Sequence, residues 1–175
     1  MSSIEYQTRG VQTRAKLLKI YDAVETGSLD KINEAVAATA ASGARNARAA
    51  DIVNFLNNEK QLPGWIEGKY EGIGTGNSAL HLACWMGLSR QIIDRLLELG
   101  SDVNLKRSWN RYFPLHCASR SGKIELVSII LEKGCDVDVR EDSGLSSLDR
   151  ACSEGHLDIV ELLLDRGADP NTSDD

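Results

Sequence analysis

The sequence predicts a mainly α fold, a solenoid of stacked helix–turn–helix units. Three observations carry that prediction. First, a six-residue signature recurs as Ala79-Leu80-His81-Leu82-Ala83-Cys84, Pro114-Leu115-His116-Cys117-Ala118-Ser119 and Ser147-Leu148-Asp149-Arg150-Ala151-Cys152. Its leucines stand 35 positions apart (Leu80 to Leu115) and then 33 (Leu115 to Leu148), and a period of this size marks one supersecondary unit per repeat. Second, a glycine follows each signature alanine by four positions, at Gly87, Gly122 and Gly155. Third, an apolar run then ends in another glycine, at Gly100, Gly134 and Gly167.

The elements follow in order. Each signature opens a first helix. The middle glycine suits a tight break between two antiparallel helices, because it can take backbone angles that other residues avoid. The runs Ile92 to Leu99, Leu126 to Leu131 and Ile159 to Leu164 place apolar residues at helical spacing, so one stripe of each second helix faces inward. The closing glycine suits the left-handed residue that ends a helix.

This pattern resembles the ankyrin repeat, most clearly over Gly155-His156-Leu157-Asp158-Ile159-Val160-Glu161-Leu162-Leu163-Leu164-Asp165-Arg166-Gly167-Ala168-Asp169-Pro170-Asn171. The resemblance runs from about Gly76 to Asn171. It implies helix pairs with β-hairpin loops projecting at right angles, stacked into a curved ladder. It also implies that His81 and His116 bond to hairpin backbone and tie neighbouring units, with Asp149 standing where the third histidine would be. The period is broken by one extra residue between Gly87 and Ile92 and another near Lys106–Ser108. Both are loop sites, where insertions are tolerated.

The expected organisation is a divergent N-terminal capping helix pair over 1–40, an insert with one helix and a Gly-rich loop over 41–75, and repeats over 76–108, 109–141 and 142–175. In the first of these, Ala23 and Gly27 repeat the alanine-to-glycine spacing, and Leu29, Ile32 and Val36 share one helical face. An end repeat needs a polar outer face, which Arg14, Lys16, Lys19 and Asp22 could supply. Gly72-Ile73-Gly74-Thr75-Gly76 is read as a turn-rich loop and not a phosphate loop, since no Lys-Ser/Thr follows it. The last repeat ends in an interior-type helix, so the chain reads either as a fragment of a longer array or as a stack closed by outward acids.

Composition bounds the function classes. Hydrophobic content of 42% and charged content of 26% fit a folded soluble domain, and no apolar run approaches the length of a membrane span. The opening residues lack a basic segment followed by an apolar one, so no secretory signal is expected, and with no C-x-x-C pair among the four cysteines neither disulfides nor zinc are expected. A reducing compartment follows, cytoplasmic or nuclear. Net charge is −6, but residues 141–175 hold ten acids and two bases, leaving +2 for the rest. Between Asn104 and Ile124 stand five bases (Lys106, Arg107, Arg111, Arg120 and Lys123) and no acid.

No catalytic or metal-binding residue and no cofactor is expected: a ladder of thin units offers few deep clefts for a carboxylate pair or a nucleophile and base. The chain is therefore not read as an enzyme. In the resembled family, partners are contacted by hairpin tips and by residues between the signature alanine and the middle glycine. Carried onto this chain, that surface comprises Trp85, Met86, Trp109, Asn110, Tyr112, Arg120, Asp142, Leu145 and Glu154. Nothing in the expected core packing requires Trp85, Met86, Trp109 or Tyr112, so losing Trp109 and Tyr112 together should spare folding. Aromatic and arginine side chains of this kind dominate binding energy at interfaces.

The expected function is a protein–protein interaction module: a monomer, with another protein as partner and no membrane. One alternative is a regulatory or targeting arm of a larger enzyme. Another is weak anion or nucleic-acid binding at the basic hairpin around 106–123, where cations and aromatics alternate. The overall negative charge disfavours that last reading.

Overall fold

The computed structural model describes residues 19–41, 77–107 and 111–171. Helical residues 19–25 lead into α1 (Leu29–Ala41). Three helix pairs follow: α2 (Ala79–Trp85) with α3 (Arg90–Glu98), α4 (Pro114–Ser121) with α5 (Ile124–Glu132), and α6 (Ser147–Glu154) with α7 (Leu157–Asp165). The first helices form one row, α2 on α4 on α6, and the second helices form another, α3 on α5 on α7. The repeat seen in the sequence is thus a repeat of layers. The insert expected over 41–75, its Gly-rich loop included, lies outside the described residues apart from its first residue.

Each layer is short, so most of its stability comes from packing and little from helix propensity. Leu80 and Leu115 are fully buried and Leu148 is 6% exposed, so the signature leucines step along one shared spine. Beside them lie Ile92, Ile93 and Leu96 of α3, Leu126, Val127, Ile129 and Ile130 of α5, and Ile159 and Leu163 of α7. Full burial of each such side chain stabilises by about 1.5–3 kcal/mol relative to exposure.

Helix starts are fixed by side chains at the signature. Ser78 caps α2: its Oγ accepts from His81 N–H at 3.4 Å, while His81 Nδ1 accepts from Ser78 N–H at 3.2 Å. Ser146 and Asp149 make the same reciprocal pair at α6. At α4 the cap position is Phe113, which has no hydroxyl. There His116 Nδ1 accepts from Phe113 N–H, and Pro114 suits the first turn because its missing N–H would have had no helical partner.

The same histidines tie layer to layer. His81 Nε2–H donates to Tyr112 O at 3.0 Å, and His116 Nε2–H donates to Leu145 O at 3.2 Å. The helical residues 19–25 join in the same register. Ile20-Tyr21-Asp22-Ala23 aligns with Leu80-His81-Leu82-Ala83, and Tyr21 O–H donates to Asn77 O at 2.6 Å. Asn77, Tyr112 and Leu145 each stand three positions before a signature leucine, so a tyrosine here does what histidine does in the later layers. Arg95 Nε–H donating to Asn33 Oδ1 at 2.7 Å adds a second tie from α1.

Backbone pairs close the hairpin loops: Arg107 N–H to Tyr112 O at 2.8 Å and Glu141 N–H to Leu145 O at 3.1 Å. The extra residue of the first repeat is taken up in the turn Met86–Ser89, where Gly87 has φ 61°. In the second repeat the break is tighter: Gly122 itself ends α4 in the left-handed conformation.

Candidate protein-binding face

The ends of the first helices bring one side chain from each layer into a row. Trp85 stands two positions after Ala83, and Arg120 two after Ala118. Because the layers stack in register, the Arg120 guanidinium lies over the Trp85 ring, its Cζ 4.2 Å from the ring centroid. On its other side Arg120 Nε meets Glu154 Oε1 at 3.1 Å, and both of these side chains remain more than 40% exposed. Met86, 40% exposed, borders the row.

An exposed cation–π contact is worth about 0.5–1 kcal/mol, and an exposed ion pair about 0.2–1 kcal/mol. These two contacts orient the row and add little to folding, but the Trp85 ring is itself part-buried against the core, which corrects the expectation that core packing would not need it. The result is a preset ridge of aromatic, cation, anion and thioether at the mouth of the inter-helix turns.

A second link runs between hairpins. Arg111 Nε lies 3.8 Å from Asp142 Oδ1, with both side chains at least half exposed. Arg111 is the one non-glycine residue among those described with a positive φ, at 52°. Trp109 and Asn110 lie outside the described residues.

Two expectations about this face are corrected. Tyr112 is not a free contact residue: it is 3% exposed and belongs to the core. Its ring packs 4.9 Å from the His116 ring, with Arg107 and Arg150 over it at 5.1 and 5.4 Å. Its position, three before the signature leucine, makes its carbonyl the acceptor for His81, and the side chain follows inward. Leu145 shares that register position; it is half-buried, and its backbone serves His116 and Glu141.

The basic block is likewise not one exposed face. Arg107 is 2% exposed, Arg111 reaches Asp142, and Arg120 is held between Trp85 and Glu154. Sequence reasoning did not foresee the buried group of Arg107, Tyr112 and Glu141, or that the part-buried Arg150 pairs with Glu141 and lies over the Tyr112 ring. An uninterrupted run of bases gave no sign that its second member turns inward.

The electrostatics of the interior are structural. Burial holds His81 down to about 3; the bond to Tyr112 O opposes this, and Arg107 and His116 add to it. Burial likewise holds His116 down to about 4, against its bond to Leu145 O and the nearby Glu141. Geometry explains the preference for the neutral form. Nδ1 accepts a backbone N–H, so only the Nε2–H tautomer satisfies both neighbours. Burial pushes the Cys117 and Cys135 thiols up to about 12 and raises Cys84 well above its ordinary value. Among the described residues no three His, Cys, Asp or Glu side chains form a group able to hold a metal ion, and no helix is long and apolar enough to cross a membrane.

The family model for ankyrin repeats (three copies) matches residues 80–174, more than half of the chain. The chain belongs to the ankyrin-repeat family. Ankyrin repeats generally mediate protein–protein interaction and are themselves non-catalytic modules. Similar proteins include an ADP-ribosylation factor GTPase-activating protein of Arabidopsis thaliana, 38% identical over 80 residues, which is 46% of this chain and 10% of that protein. A putative palmitoyltransferase of Danio rerio is 34% identical over 76 residues, 43% of this chain and 12% of that protein. Regulatory subunit 12A of protein phosphatase 1 from Mus musculus is 32% identical over 77 residues, 44% of this chain and 7% of that protein. The matched segment thus spans only about a tenth of the length of these relatives.

Proposed function

We infer that this ankyrin-repeat chain is a binding module that grips another protein across its hairpin tips and the exposed ends of its first helices. The observation that carries this reading is the row of Trp85, Arg120 and Glu154, one from each layer, with Met86 beside it. Aromatic and arginine side chains held in one orientation lose little entropy on binding, which is how a small patch gains affinity. Asp142 and Arg111 extend the surface along the hairpins, and Trp109 and Asn110 join it on the sequence alone. The four free thiols, three of them buried, fit a reducing compartment, cytoplasm or nucleus.

The test is affinity capture from native lysate with mass spectrometry, comparing the unmodified chain with a Trp85→Ala, Arg120→Ala variant. Loss of the specific partner by a variant whose far-UV circular dichroism shows it still folded is the expected outcome. Full retention of the partner would remove this face from consideration.

A regulatory role for the module has one specific support. Its relatives include a protein named as a GTPase-activating protein, one named as a palmitoyltransferase and one named as a phosphatase regulatory subunit. On that reading the captured partner is an enzyme or an enzyme's substrate. Capture of neither class would count against it.

A further inference from the structure

The ridge lies at the ends of the first helices, whereas a second set of side chains meets at a hairpin tip. Glu141 to Gly144 form a tight turn, closed by Gly144 N–H donating to Glu141 O at 3.0 Å, with Gly144 at φ 84°. Asp142 and Ser143 stand at its apex, and both are exposed. Among the described serines, Ser89 and Ser153 are also exposed. Ser153 lies inside α6 and Ser89 is the N-cap of α3, so neither can leave its place without unwinding a helix. Ser143 is held by a hairpin loop, and loops open locally at far lower cost than helices packed on the core.

Three arginines surround this apex. Arg140 Nη1–H donates to Gly144 O at 3.0 Å, Arg111 Nε reaches over from the preceding hairpin to lie 3.8 Å from Asp142 Oδ1, and Arg150 Nη2–H donates to Glu141 Oε1. Ser143 Oγ–H donates to that same oxygen, Glu141 Oε1, at 2.8 Å. The serine hydroxyl and the Arg150 guanidinium therefore converge on one atom. Arg150 also holds a donor in reserve, because its Nε is buried and has no hydrogen-bond partner among the described residues.

A phosphate on Ser143 would redistribute these contacts. It carries a charge of about −1.5 to −2 at neutral pH and three strong acceptor oxygens. It would replace a hydroxyl that donates to Glu141 with a group that repels Glu141 and Asp142. The planar guanidiniums of Arg111, Arg140 and Arg150 are suited to receive it. Glu141 would still have the Arg107 cation nearby. Arg140 also stands three positions before Ser143, a charge pattern of the kind by which kinases choose substrates. We propose that Ser143 is a site of phosphorylation by a serine/threonine kinase, with Arg111, Arg140 and Arg150 receiving the phosphate. In the transfer, Ser143 Oγ bonds to the γ-phosphorus of a nucleoside triphosphate as the bond to the β–γ bridging oxygen breaks. The nucleoside diphosphate leaves, and the hydroxyl proton passes to the kinase's carboxylate base. Any effect on partner binding rests on the reading of the hairpin tips as part of the binding face; the modification itself does not.

Peptide mapping by mass spectrometry of the protein from its native cells, with phosphatases inhibited, should place phosphate on Ser143. The purified folded chain, given ATP and a kinase that reads arginine three positions before its target, should be modified at the same residue. Arg140→Gln should slow that transfer about tenfold, and Ser143→Ala should remove it. A second measurement uses the full chain with phosphoserine incorporated genetically at position 143, its phosphorus resonance followed against pH. Receiving arginines should hold the second ionisation below its ordinary value of about 6, whereas Glu141 and Asp142 acting alone would raise it. Arg150→Gln in that chain should move the midpoint back up. Arg111→Gln, at an exposed side chain, should do the same if circular dichroism shows that the Arg150 variant has not folded. Native protein without phosphate on Ser143, transfer only after heat unfolding, or a midpoint at or above about 6 would overturn the proposal. None of these readouts uses the partner, so their failure would leave the Trp85–Arg120 ridge as it stands.

Discussion

Acidification should loosen this stack through two histidines, and the size of the effect can be worked out. His81 and His116 are fully buried as neutral imidazoles, each accepting at Nδ1 and donating at Nε2. Their folded pKa values lie at about 3 and about 4, below the ordinary 6.5. In the window between, the unfolded chain binds protons that the folded chain refuses. The stability linked to these groups is therefore present above pH 6.5 and falls as pH drops toward the folded values. From pH 7.5 to 5 each histidine should cost about 2 kcal/mol, and near pH 5 the two together should give a slope of about 2.7 kcal/mol per pH unit. Urea unfolding across this range measures it. His81→Gln removes one titrating group, so its slope near pH 5 should be smaller by about 1.4 kcal/mol per pH unit than that of the unmodified chain. Nitrogen-detected imidazole spectra should show the Nε2–H tautomer persisting to pH 5. A folded-state titration near pH 6.5, or equal slopes for the two proteins, would refute the reasoning.

Three further outcomes follow from the same geometry. Tyr112→Ala empties a core site and should destabilise by about 3 kcal/mol, whereas Trp85→Ala, at a part-buried helix end, should cost less; chemical denaturation compares them. At Gly122, with φ 72°, an added Cβ would lie 2.6 Å from the His156 ring, whereas at Gly155, with φ 77°, it would meet nothing within 4 Å. Both alanine variants carry the left-handed penalty of about 1–2 kcal/mol, but only Gly122→Ala should regain stability when combined with His156→Ala, and a double-mutant cycle reads that coupling. A thiol titration of the native chain should show one fast-reacting cysteine, Cys152, with Cys84, Cys117 and Cys135 reacting only on unfolding.

Much of the fold was legible because helix periodicity and glycine punctuation report local geometry directly. Leu80, Leu115 and Leu148 line the spine, and Gly100, Gly134 and Gly167 adopt φ of 93, 85 and 89°, as their places after the apolar runs implied. The role of histidine as a tie between units was implied by the resemblance to ankyrin repeats, and His81 and His116 both make that bond. Hairpin side chains were less readable, because a loop residue's direction is set by what packs on it and not by a period. Tyr112 and Trp85 are both large aromatics beside a signature, yet one is drawn under His116 and the other stays at a helix end under Arg120. One signal could have separated them. Asn77, Tyr112 and Leu145 share a register position whose carbonyl receives the bond from the preceding layer, which pulls that residue toward the stack. The inward turn of Arg107 had no such marker, since the Tyr112 ring it covers and the nearby Glu141 come from the next repeat.

The central claim is that packing between layers consumes one flank of each unit and leaves the ridge edge to grip a partner. A photo-crosslinking amino acid placed at Met86 tests this most directly when set against one placed at Ser128 on the second helix α5. Irradiation in native lysate should join a partner to the chain from position 86 and not from position 128. Equal crosslinking from both positions, or crosslinking from 128 alone, would contradict the account.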